Sequence, residues 1–144
     1  ALQSIKEVLG QTGLPPRKLA VETIEFPFDL TLEMAERLDL SLCLDTGHVL
    51  AGFAGQLDFF TVLEQVLPRL GEVHLHDCPL PPAGGKPAYG MDHQPLGSGS
   101  LDTARLLDRL SEAGFQGPFV FELTVPQALD SLRVIQNLRP HLLS

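Results

Sequence analysis

Residues 40–48 read LSLCLDTGH, a predominantly apolar run with a carboxylate at its end and an imidazole three residues further on. Leu40 to Asp45 has the length and composition of a strand, and a glycine-containing loop is expected to follow it. Working outward, the same unit recurs. LAVE, Leu19 to Glu22, is short and β-compatible, as are VHLH, Val73 to His76, and PFVFELT, Pro118 to Thr124. Between these runs the apolar residues fall at helical spacing. Leu2, Ile5, Val8 and Leu9 predict a helix over 1–11, stopped by Gly13, Pro15 and Pro16. A second helix is predicted over Leu30 to Leu38 with Thr31 as its cap, and a third from a capping Asp58 to Leu67. Leu101 to Ala113, with Gly114 past its end, and Pro126 to Leu138, with proline in the first turn, complete the set. Short apolar strands alternating with helices are the signature of an α/β fold with a parallel sheet covered on its faces.

The chain has 144 residues, enough for one domain, taken as 1–144, to bury a real core. Its 18 acidic and 10 basic residues give a formal net charge of -8, which repels polyanions and argues against general nucleic-acid binding. Cys43 and Cys78 have neither CxxC spacing nor a disulfide-rich pattern, so a reduced, cytoplasmic setting is expected. Residues 1–10 lack the apolar core of a signal peptide, and no apolar run approaches the roughly 20 residues of a membrane span. The one long irregular segment runs from Cys78 to Ser100. It is rich in proline and glycine, and reads either as a floppy insertion or as a functional loop. It leaves the C-terminal end of a predicted strand, which is where ligands bind in parallel α/β architectures.

Each predicted strand contributes at least one metal-competent residue. Glu22 ends the first, Asp45 ends the second, His74 lies in the third, and Glu122 lies near the end of the fourth. In a parallel sheet these side chains converge on one mouth, where several carboxylates without a cation would be costly to bury. A divalent metal removes that cost. Mixed carboxylate and imidazole donors suit manganese, cobalt, zinc or iron better than a site built wholly of oxygen, which magnesium prefers. Each residue also has an ordinary reading. Glu22 and Glu122 read equally as surface charges or caps, and Asp45 as the cap of the following loop. His74 and His76 share a face if 73–76 is a regular strand, so one of them reads as a partner to the ligands. His93, in MDHQPLGSGS, is by itself an ordinary loop histidine.

Taken together, LAVE, CLDTGH, VHLHD, DHQPLGSGSLD and FVFELT resemble the C-terminal half of the xylose isomerase-like TIM-barrel superfamily. That superfamily includes the sugar phosphate isomerases and epimerases and the apurinic-endonuclease branch. The resemblance runs over nearly the whole chain, yet a complete (β/α)8 barrel takes roughly 250 residues, and this chain supplies about four βα units after one helix. Half a barrel is implied. Either the sequence is a piece of a longer barrel, or two copies cover each other's sheet edges in a homodimer that completes it.

For the isomerase and epimerase members the resemblance implies a divalent metal (Mn, Co, Zn or Mg) held by Glu22, Asp45, His74 and Glu122. The substrate would be a carbohydrate or sugar phosphate, with Glu22 and Glu122 exchanging a proton through a metal-stabilised enediolate. His48, His76, His93 and Lys86 are then second-metal or substrate contacts. Lys86 is the only permanent cation between His74 and Ser100, where epimerases often place an arginine. For the phosphoesterase members the same residues with His48 and His93 would hold several metals and hydrolyse a phosphodiester. The aspartate those enzymes place two residues before the loop histidine is Met91 here, with Asp92 one position late. The order ETIEFPFDL, CLDTGH, HLHD is also similar to cobamide-remodelling phosphodiesterases, whose substrate is a corrinoid. A non-catalytic metal-binding half-barrel is the remaining reading.

Overall fold

The computed structural model describes residues 2–24 and 27–140. Ala1, at the start of the first predicted helix, and Glu25 and Phe26, within ETIEFPFDL, lie outside the described residues. The elements run α1 (Leu2–Thr12), β1 (Ala20–Glu22), α2 (Phe28–Leu38), β2 (Ser41–Asp45), α3 (Thr46–Ala51), α4 (Phe59–Val66), β3 (Leu70–His74), α5 (Thr103–Glu112), β4 (Phe119–Val120) and α6 (Val125–Leu138). The four strands form one sheet in the order β1-β2-β3-β4, and every neighbouring pair is parallel. This is the predicted α/β class, and its strand order is that of four consecutive units of a barrel opened out.

Alternation along the strands divides the chemistry from the packing. Leu42, Leu44 and Val73 are buried in the apolar core with Leu50, Leu63, Val66, Leu106 and Leu110 from the helices. Glu22, Cys43, Asp45, Glu72 and His74 occupy the alternate positions and meet on the opposite face. The register that pairs Glu22 with Cys43 and Asp45 with His74 brings them level.

Several local features differ from the sequence-based expectation. α2 starts at Phe28 behind Pro27, and Thr31 is buried within the helix instead of capping it. The loop expected after Asp45 is the short helix α3, because the Asp45 side chain accepts from the His48 backbone N–H at 2.7 Å and starts a helix directly at the strand end. β3 begins three residues early and stops at His74, so His76 lies beyond the strand. Its Gly71 passes within a methyl group's reach of Ser41, and a side chain there would crowd β2. β4 is only two residues long. Its last ladder bond runs from the Leu75 N–H to the Val120 carbonyl, so Glu122 projects from the connection to α6. The expected cap of α4 does form, with Asp58 accepting from the Thr61 N–H; α5 starts at Thr103 and not Leu101, because Asp102 caps it by accepting from the Arg105 N–H.

Residues 78–102 carry no helix or strand, yet they are tied down at several places, most densely at Asp77. Asp77, wholly buried, accepts backbone N–H bonds from Cys78 and Leu101 on one carboxylate oxygen, and from Gly97 and Gly99 on the other, all at 2.9–3.0 Å. An antiparallel bridge between Asp77 and Gln94 ties the middle of the segment to the end of β3. The long loop is folded back over the strand ends.

Candidate metal centre

One ligand atom each from Glu22, Asp45, His74 and Glu122 lies within 4.8 Å of all the others. Glu22 arrives from one edge strand and Glu122 from just past the other, with Asp45 and His74 between them. Nδ1 of His74 faces all three carboxylates, at 3.2 Å from Glu122, 3.7 Å from Asp45 and 3.8 Å from Glu22. His48, on the first turn of α3, points its own Nδ1 at Glu22 (3.1 Å) and Asp45 (3.4 Å).

The electrostatics follow from crowding three carboxylates around imidazoles. Burial and the charge of Asp45 push the Glu22 carboxyl above its ordinary value, and the His74 and His48 rings oppose them. Burial acts to raise Asp45 as well, but the adjacent His74 and His76 rings outweigh it and hold this carboxyl well below the usual range. Asp45 first, and then Glu122 and Glu22, lift the His74 imidazole to about 9 against the opposing effect of its burial. The Nδ1 atoms of His48 and His74 are nevertheless buried without a hydrogen-bond partner of acceptable geometry among the described residues. Two orphaned ring nitrogens aimed at a knot of carboxylates are costly as they stand. A divalent cation held by Glu22, Asp45, His74 and Glu122 would satisfy the His74 nitrogen, so this donor set of three carboxylates and one imidazole fits such an ion.

The remaining predicted residues divide. His76 is wholly buried, with Nε2 astride the Asp45 carboxylate at 3.0 Å from its oxygens, and Nδ1 accepting from the His93 backbone N–H at 2.9 Å. The His93 ring stacks on His76 with centroids 4.3 Å apart, and its Nε2 lies 3.3 Å from Glu122. Nitrogens of His48, His76 and His93 also come together, although both nitrogens of His76 are already engaged. Lys86 is exposed on the long segment and makes no hydrogen bond or ion pair with this cluster.

Two residues outside the sequence-based set enter the site. Asp92 turns inward, with its carboxylate 2.7 Å from His93 Nδ1 and 3.5 Å from His48 Nε2. His93 adopts a left-handed backbone with φ of 57°, uncommon outside glycine, and this twist accompanies the inward turn of the neighbouring carboxylate. Glu72 lies two residues before His74 on β3 and 3.7 Å from its Nε2. Strand alternation places a residue two positions back on the same face, which is the signal that would have found it.

Comparison with known proteins bears on the same half-barrel. A xylose isomerase domain protein from Planctomyces limnophilus superimposes with a TM-score of 0.77 at 21% identity, covering 97% of this chain and 51% of that one. A xylose isomerase-like TIM barrel protein from Mycobacterium smegmatis, solved in complex with magnesium, gives 0.63 at 18% identity, covering 96% and 49%. A xylose isomerase domain-containing protein from Salmonella typhimurium gives 0.53 at 15% identity, covering 99% and 57%. This chain therefore spans about half the length of these structures. No curated protein sequence matches it at a significant level. The family model for the xylose isomerase-like TIM barrel matches residues 1–139, and the chain belongs to that family.

Proposed function

We propose that the chain provides the metal-binding half of an enzyme that isomerises or epimerises a sugar or sugar phosphate. The observation that carries this reading is the convergence of Glu22, Asp45, His74 and Glu122, with the buried His74 Nδ1 facing the three carboxylates. These four would hold the ion, with manganese, cobalt, zinc and magnesium as candidates. The magnesium complex of the Mycobacterium smegmatis protein supports a divalent ion here. When bound, such an ion polarises a carbonyl and an adjacent hydroxyl of the substrate.

The chain's own residues would do the remaining work. Glu22, its carboxyl raised by burial and by Asp45, suits a group that takes and returns a proton. Glu122 approaches from the opposite edge of the sheet and would serve the other side of the reacting carbon. His48 would contact the substrate. The folded-back loop of residues 78–100 would exclude water from the mouth.

A second reading, hydrolysis of a phosphodiester, is favoured by one specific arrangement. The Asp92 carboxylate lies against both His48 and His93, whose nitrogens gather beside the first group, and it would stand in for the aspartate that Met91 displaces in the sequence. The test is elemental analysis of the purified protein, followed by incorporation of solvent deuterium into a panel of ketoses. One ion per chain and deuterium at a single carbon support isomerisation. Two or three ions with release of nitrophenol from a diester, and no deuterium uptake, would replace it with hydrolysis. Asp45→Asn and Glu122→Gln should each lose bound metal; full occupancy in both removes the site.

A further inference from the structure

His76 is fixed from every side. Its N–H donates to Thr46 Oγ1 at 3.0 Å and its carbonyl accepts from the same hydroxyl at 2.6 Å. The ring is covered by the His93 ring on one side and lies against the Cα of Gly47. Because Nδ1 accepts a backbone N–H, it carries no proton, so a neutral ring must bear its hydrogen on Nε2, facing Asp45. One oxygen of Asp45 is already held by the His48 backbone N–H, and the other looks toward His48 Nδ1 and His74 Nδ1. A carboxylate with that many fixed partners has little freedom to rotate.

We infer that His76 is a positioning residue: locked as the Nε2–H tautomer by the His93 main chain, it holds the Asp45 carboxylate so that the oxygen facing His48 and His74 points at the metal, and makes ion affinity depend on the fold of the 78–100 loop. The inference rests on the metal reading of Glu22, Asp45, His74 and Glu122. It extends the general rule that hydrogen-bonding partners behind metal ligands set their orientation, and that their loss weakens binding by roughly 10–100-fold. The coupling to the loop arises because the lock is supplied by the backbone of residue 93, within the loop, and not by a neighbour of His76 in the chain.

The experiment combines nitrogen NMR of the metal-free protein with Mn2+ titrations of wild type, His76→Gln, His76→Asn and His76→Ala. The expected spectrum shows His76 protonated on Nε2. Affinity should fall by roughly 10–100-fold in the alanine and asparagine variants. It should recover largely in His76→Gln, whose amide N–H reaches the place of Nε2, whereas the asparagine amide reaches only that of Nδ1. A role confined to packing would lower the melting temperature of both amide variants without separating their affinities, and that result overturns the inference, as does a proton on Nδ1. Should His76→Ala fail to fold, the glutamine and asparagine pair decides alone. If wild type binds Mn2+ and all three variants bind it equally, only this inference fails; if wild type binds none, the metal reading fails with it.

Discussion

Gly47 and His76 are packed so closely that a methyl group on the glycine would fall on the imidazole ring. The glycine is required for space and not for its backbone angle, since its φ is not positive. Gly47→Ala should push His76 off Asp45 and cost about 1–3 kcal/mol through overpacking. Denaturant unfolding and Mn2+ titration should both register the change. Wild-type affinity in a destabilised variant would mean that His76 does not orient the ligand.

Asp77 organises the long loop with a single buried carboxylate that accepts four backbone N–H bonds. Asp77→Ala strands those donors, and hydrogen bonds to a charged group are worth about 1.5–3 kcal/mol each before relaxation. The loop should then open. Tyr89, exposed and the only tyrosine in the chain, provides a chymotrypsin site inside it. Cleavage after Tyr89 should accelerate at least tenfold in the variant, on the scale of about 1.4 kcal/mol per factor of ten in the open population. An unchanged rate would show that the loop is held by something else.

The parts of the site legible in the sequence are those governed by strand alternation and residue type. Glu22, Asp45 and His74 could be placed because each sits in or at the end of an apolar run whose period is two. The α/β class followed from the same alternation of strands and helices. What escaped depends on three-dimensional detail. The helix Thr46–Ala51 was hidden because TGH reads as a turn, and only the cap made by Asp45 starts it there. Asp92 was hidden because its direction accompanies the left-handed backbone of His93, for which a residue without glycine gives no sequence signal. The close approach that requires Gly47 joins segments nearly thirty residues apart, and no local pattern encodes it.

Protons should compete with the metal at His74. The surrounding carboxylates lift its imidazole from the ordinary value of 6.5 to about 9, so in the metal-free protein the ring keeps its second proton through neutral pH. An ion must displace it. Affinity for Mn2+ should therefore rise about tenfold per pH unit between pH 6.5 and 8.5, and level off above about pH 9. The sign for stability is opposite. A folded pKa raised above the unfolded value stabilises the metal-free protein fully below pH 6.5, and this contribution is lost as pH rises through about 9. Melting temperatures of the metal-free protein should fall over that window, and those of the metal-loaded protein should fall less. A pH-independent affinity would exclude His74 as a ligand.

The two sheet edges lead to the last prediction. β1 pairs only with β2 and β4 only with β3 among the described residues, so each outer strand presents unpaired backbone groups. Apolar side chains accompany both edges: Ile24 and Leu30 are exposed near β1, and Phe119 and Val120 on β4. Beside β4 lies an open groove of about 570 Å³ lined by Leu107, Leu110, Phe115, Phe121 and Ile135. In a twofold arrangement, β4 of one copy can lie parallel to β1 of the other at both seams, closing eight strands into a ring with no free edge. The 144-residue chain should therefore run at twice its monomer mass in light scattering, and Val120→Lys should shift it toward monomer. Lysine on an edge strand disfavours strand addition while leaving the core of each copy intact. A monomer at tens of micromolar, with amide exchange fast along both edges, would mean that the chain does not complete the barrel with itself.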